Sequence, residues 1–192
     1  MGATAVGMTA EQLLGYEAPG KRVELVRGQL IVREPAGFYH GSLTLRIGVA
    51  LTNHLARERE ARGRSHTRGR LATADPGFTL ARRPDTVRAP DIAYVSRERF
   101  GGPMPDGFPE LAPDLAVEVL SPTDRTGAIV AKVGDWLSAG TQLVWVVDPP
   151  RESVVVYRAD GSVDVLGVND TLSGDALLPG FALSLRELFA PD

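Results

Sequence analysis

Behind Asp114, residues 115–120 form an apolar run broken by a single carboxylate, Glu118. Such a run reads as a buried central strand. Side chains alternate along a strand, so Leu115, Val117 and Val119 share one face while Ala116, Glu118 and Leu120 share the other. A lone ionised carboxylate between apolar neighbours costs on the order of several kcal/mol unless it is paired or bound to metal. Glu118 therefore requires either a salt bridge to one of the chain's many arginines or a cation. A second carboxylate, Asp91, starts another predicted strand, residues 89–95, directly behind Pro90. Alone, a Pro-Asp pair suits a turn. Together, Asp91 and Glu118 on neighbouring strand ends suit one shared hard cation, Mg²⁺ or Mn²⁺, with a backbone carbonyl such as that of Val119 as a third oxygen.

Three further side chains could serve such a centre. Lys132 falls on a predicted helix whose buried face is Ile129, Val133, Trp136, Leu137 and Gly140. It projects from the edge of that face, from where an ammonium either snorkels to solvent or reaches the sheet end at Glu118. There it could orient a water or stabilise charge developing on a phosphoryl group. His40 stands where a long helix begins and could hold a phosphate or tune a bound water. His54 shares an apolar seam with Leu43, Ile47 and Leu51 and reads as a core histidine. Arg57 to Arg70 alternate in part with Glu58 and Glu60, which suits a solvated helix end, and Arg68 and Arg70 remain candidates for a phosphate backbone. Glu24, in an N-terminal hairpin, is expected to face solvent.

The elements that must position these groups follow from pattern. Thr9 with Gln12 is a capping box that opens a short peripheral helix, residues 9–17. Residues 23–26 and 29–32 flank Arg27-Gly28 as a β-hairpin, with Gly28 supplying positive φ. Residues 41–60 carry apolar side chains at helical spacing. Short strands are expected near 71–74 and 78–81, a loop over 100–113, and a helix over 126–139 capped by Ser121, Thr123 or Asp124 and ended by Gly140. A strand at 143–147 leads into a C-terminal β-meander through 153–157 and 163–166, and the tail closes with a turn and a short helix. The order predicts one domain over residues 1–192 and an α/β (α+β) fold.

Composition narrows the function classes. The 192 residues are 43% hydrophobic and 23% charged, an ordinary globular balance. Absence of cysteine excludes disulfides, thiolate metal sites and cysteine nucleophiles, so a metal must sit on oxygen or nitrogen. A net charge of −3 excludes coating of nucleic acid by bulk electrostatics. Of 21 basic residues only Lys21 and Lys132 are lysine, so the position of Lys132 carries more information than that of an arginine. Without a basic leader or a long apolar run, a cytoplasmic location and no membrane span are expected.

The ordered set of motifs resembles the Uma-two family of restriction-endonuclease-like proteins: the run Val23 to Leu30, His40 opening a helix, Ala89-Pro90-Asp91-Ile92-Ala93, Ala112 to Pro122, Lys132, Trp145 to Pro149, Leu178-Pro179-Gly180-Phe181 and the closing Glu187-Leu188-Phe189. The resemblance spans nearly the whole chain. It implies the PD-(D/E)XK nuclease superfamily and its mixed central sheet flanked by helices. By that resemblance Asp91 matches the first metal-binding aspartate and Glu118 the acidic residue of the next core strand. Leu120 stands where the superfamily's strand lysine would be, and the resemblance implies that Lys132 supplies the amine instead. The expected function is a metal-dependent endonuclease acting on DNA, with a homodimer open as its assembly. The alternative is a nuclease-like scaffold that has lost catalysis and binds nucleic acid or a protein partner.

Overall fold

The computed structural model describes residues 7–62, 69–100, 102, 103 and 105–191, the Arg62 side chain apart. Its core is a six-stranded sheet in the order β10-β9-β8-β7-β6-β3. The strands are β3 (Gly69–Thr73), β6 (Ile92–Ser96), β7 (Leu115–Val119), β8 (Leu143–Asp148), β9 (Ser153–Arg158) and β10 (Val163–Leu166). β7 and β8 run parallel and every other pair is antiparallel. The sheet is thus mixed, as expected, and β8 to β10 form the expected meander at one edge.

Strand alternation divides the core. Val117, Val119, Ile92 and Tyr94 face the helix α2 (Phe38–Arg62), which buries Leu43, Ile47 and Leu51 against them. Ala93, Ala116, Val144 and Val146 face the helix α3 (Thr126–Ser138), which buries Ile129, Val133 and Trp136. Each fully buried large aliphatic contributes about 1.5–3 kcal/mol, so the two faces fix both helices. α2 starts earlier and runs longer than its apolar spacing alone suggested, and it brings His40 into its first turn.

A second sheet lies beside the first. The hairpin β1 (Arg22–Val26) and β2 (Gln29–Arg33) turns at Arg27 and Gly28, both at positive φ (49° and 77°). The hairpin does not stand alone, because it continues through β5 (Thr86–Arg88) to β4 (Phe78–Ala81) in the order β2-β1-β5-β4. The short helix α1 (Ala10–Leu14) carries the capping box of Thr9 and Gln12 and buries Ala10 and Leu13 against Leu25 and Val87.

Two readings need correction. Ser121, Thr123 and Asp124 do not cap α3: Arg125 is its N-cap and makes no side-chain cap bond. Asp124 instead accepts from Ser121 and from Arg33, at 2.7 Å, which ties the hairpin to the end of β7. The tail expected as a turn holds a two-stranded sheet, β11 (Thr171–Gly174) with β12 (Leu178–Ser184), before the helix α4 (Leu185–Phe189). Leu172, Leu178, Phe181 and Leu185 of this tail enter the core on the α2 side, and Phe181 meets His54 edge-on at 5.5 Å.

Candidate active site

Glu118 points from β7 towards α3 and is 4% exposed. Its Oε2 accepts from Lys132 Nζ at 2.8 Å and its Oε1 from the Trp136 indole N–H at 2.9 Å. The Lys132 ammonium also donates to the Ala89 carbonyl at 2.8 Å and pairs with Glu24 Oε1 at 2.9 Å. An ammonium has three donors, so all three are engaged. Glu24 in turn accepts from the Ala89 N–H and from Arg88, and Arg88 extends to Asp135 on α3. One ammonium therefore serves two buried carboxylates in unequal surroundings. Burial opposes the charge on Glu24, but Lys132 and Arg88 together bring its carboxyl down to about 2. Burial pushes Glu118 up to about 7; Lys132 works against that rise, while the charges of Asp91 and Glu24 add to it.

Asp91 ends the Pro90 turn at the mouth of β6. Its N–H donates to the Val117 carbonyl at 3.0 Å and its Oδ2 accepts from the Val119 N–H at 2.7 Å, so the carboxylate is fastened to β7 one residue beyond Glu118. Its Oδ1 faces Arg22 Nη2 at 2.9 Å and His40 Nε2 at 3.2 Å. Arg22 bridges to Asp75 at 2.8 Å. Burial opposes the charge on Asp91, yet His40, the Val119 N–H and Arg22 hold it below the usual carboxylate range. Burial likewise disfavours the His40 cation, but its bond to Asp91 and that carboxylate's charge raise it above an ordinary imidazole. His40 also hydrogen-bonds to the Val119 main chain. Asp91, His40 and Arg22 open onto a groove of about 570 Å³ between α2 and β3.

The family model described as "Putative restriction endonuclease", Uma2, matches residues 10–186. The chain belongs to the Uma2 family. A crystal structure described as a putative nuclease from Anabaena variabilis shares the fold, with a TM-score of 0.77 at 21% identity over 95% of this chain and 97% of that one. No curated protein matches.

The Uma2 centre thus gathers Asp91, Glu118, Val119, Lys132 and His40 at one end of the central sheet. Two other candidates fall elsewhere. Arg70 lies on β3 with its guanidinium 5.3 Å over the Phe100 ring, away from the carboxylates, and Arg68 lies outside the described residues. Glu24 is a correction: the hairpin face that carries it is covered by α3 and Arg88, so it is 4% exposed instead of solvated. Arg22 and Asp75 also belong to the centre and were not marked by the sequence, while Trp136, expected only in the buried face of its helix, donates to Glu118. Arginines abound in this sequence, and nothing local marks the one at position 22. The Val23-Glu24-Leu25 pattern held a usable signal, since a carboxylate between two aliphatics repeats the anomaly of Glu118.

The donor set suits a hard cation by chemistry: two carboxylates and the Val119 carbonyl are all oxygen. Glu118 accepts one donor at each oxygen, and Asp91 accepts three in all, Arg22 and His40 at Oδ1 and the Val119 N–H at Oδ2; a carboxylate offers about four lone-pair positions, so capacity remains. Among the described residues no three acidic or imidazole groups form a metal cage.

Proposed function

We infer that this member of the Uma2 family is a metal-dependent phosphodiester hydrolase acting on DNA, and that Asp91, Glu118 and the Val119 carbonyl hold Mg²⁺ or Mn²⁺. The observation that carries the reading is the junction at the sheet end, where Asp91 is bonded to the Val119 N–H and Lys132 to Glu118. When bound, the cation would lower the pKa of a water and neutralise charge on the phosphoryl oxygens. The chain's own residues then divide the remaining work. Asp91 and Glu118 are fixed by N–H donors and need little reorganisation to act. Lys132 holds the Glu118 carboxylate in place and balances its charge. To assist an attacking water, Lys132 must exchange one of its three acceptors for that water. His40, raised in basicity by Asp91 and close to the groove, is placed to give a hydrogen bond to a phosphate oxygen.

Leu120 leaves the superfamily's strand position without an amine, which favours the inactive-scaffold reading. Lys132 from α3 fills that gap, since its ammonium meets the Glu118 carboxylate directly. A nicking assay on plasmid and single-stranded DNA with added Mg²⁺ or Mn²⁺ tests the proposal. Wild-type protein is expected to cut only with the cation, and Glu118→Ala to reduce cutting to background. Equal cleavage by both proteins would refute the assignment. DNA binding without metal binding or cleavage would establish the scaffold reading.

A further inference from the structure

Two arginines that stitch this fold together spend all three of their nitrogens on the protein. Arg88 gives Nε and Nη2 to Asp135 and Nη1 to Glu24. Arg99 places Nε at Asp114, Nη1 at the Ala112 carbonyl and Nη2 at the Gly140 carbonyl. Arg22 differs. Both of its carboxylates, Asp91 at 2.9 Å and Asp75 at 2.8 Å, meet the single nitrogen Nη2. Among the described residues its Nε and Nη1 meet no acceptor, so three of the guanidinium's five N–H donors stay unused. Arg22 is also not closed off: with His40, Asp75 and Asp91 it lines the groove of about 570 Å³ between α2 and β3. A guanidinium with spare donors at the wall of a groove is suited to an oxyanion, to which its hydrogen bonds are charge-assisted.

We propose that Arg22 grips a phosphate of the substrate beside Asp91, and that Asp75 is the positioning residue that holds its guanidinium there. The phosphate, as against another oxyanion, rests on the reading of Asp91 and Glu118 as the reacting centre of a nuclease. Three elements fix the guanidinium: Arg22 comes from β1, Asp91 from the mouth of β6 and Asp75 from the turn after β3. That turn is specially shaped. Ala74 and Asp75 both stand in the left-handed region, with φ of 66° and 58°, which L residues seldom adopt. Just before them Thr73 donates to the Asp91 carbonyl at 3.1 Å, so the turn is tied to the strand that carries Asp91. A carboxylate beside a phosphate repels it, and Asp75 helps binding only if holding the guanidinium gains more than that repulsion loses. The balance gives Asp75 a sign that simple charge counting reverses.

The first test is nuclear magnetic resonance of the ¹⁵N-labelled full chain in chelator, following the Arg22 Nε–H signal, assigned along its own side chain, as inorganic phosphate is added at constant ionic strength. In the wild type the signal is expected to move saturably with phosphate and far less with acetate. Asp75→Asn is expected to bind phosphate at least about threefold more weakly, although it removes a negative charge. The second test is fluorescence anisotropy of a labelled oligodeoxynucleotide in chelator. Arg22→Lys keeps the charge but replaces the five-donor fork with one ammonium facing two carboxylates, and is expected to bind about tenfold more weakly, the equivalent of one charge-assisted hydrogen bond. An Arg22 signal that phosphate leaves in place, or that acetate moves as far, would overturn the proposal. So would Asp75→Asn binding phosphate as tightly as the wild type or more tightly, or a folded Arg22→Lys binding the oligonucleotide like the wild type. Should Arg22→Lys fail to fold, the phosphate titrations of wild type and Asp75→Asn decide. Binding is read here without cation or turnover, so phosphate held at Arg22 by a protein that cuts no DNA would refute the nuclease reading alone.

Discussion

Lys132 is the side chain on which the buried charges depend. It is 3% exposed and sits between Glu118 and Glu24, each within 2.9 Å. Removing one partner of a buried ion pair costs about 3–5 kcal/mol, because the other charge is left uncompensated. Lys132→Met should therefore lower the unfolding free energy by that amount, read as a lower urea midpoint at unchanged slope; a near-neutral effect would mean that the ammonium is not the counter-charge of these carboxylates. Trp136→Phe keeps most of the ring but withdraws the N–H from Glu118 Oε1, with an expected loss of about 1–3 kcal/mol, read from the same titration. Glu24 makes a pH prediction. Its folded carboxyl lies at about 2, below the usual 4.5. A depressed carboxyl stabilises the fold above its unfolded pKa, and that stability is lost as pH falls from about 4.5 through about 2, on the order of 3 kcal/mol in all. Thermal melts across this range should show wild-type protein falling away steeply while Glu24→Gln, less stable at neutral pH, changes less; parallel curves would contradict the assignment.

At the scale of elements, the hairpin turn is the most local determinant. Gly28 has φ of 77°, and a Cβ there would come within 2.9 Å of the Gly7 Cα. Gly28→Ala should cost at least about 1–2 kcal/mol from the left-handed backbone alone, seen as a lower melting temperature, and an unchanged melt would show that the turn can relax. This hairpin was legible in the sequence because Arg27-Gly28 between two alternating runs specifies both the turn and the register. The long helix and the central strands were legible for the same reason, a periodicity held over enough residues. What escaped depended on partners distant in sequence. β5 has three residues, among them a buried arginine, and makes sense only beside Glu24 and Asp135. Glu24 read as solvated because a hairpin usually keeps one wet face, and only α3 packing over that face reverses the expectation. β11 and β12 were hidden by Pro179-Gly180, which imitates a turn inside a strand. Asp91, Glu118 and Lys132 could be named from pattern and resemblance, whereas the bonds that tie Lys132 to Glu24 and Asp91 to Arg22 could not.

For the whole molecule, two helices on opposite faces of a mixed sheet bring His40 from one side and Lys132 from the other to the ends of β6 and β7. The hairpin sheet adds Arg22 and Glu24 from a third direction, so the centre exists only in the complete fold. Among the described residues no helix is long and apolar enough to cross a membrane. Net charge of −3 and a candidate site lined by paired charges leave little for non-specific attraction to phosphates. Specific reaction at one centre is then the claim that matters most. The most direct test is single-turnover cleavage of DNA with Mn²⁺ by the wild type, Asp91→Asn, Glu118→Gln and the double variant. If both carboxylates serve one reacting centre, each single change removes nearly all activity and the double variant is no slower than the slower single one. Losses that multiply independently in the double variant, or cleavage that survives either single change, would contradict the account.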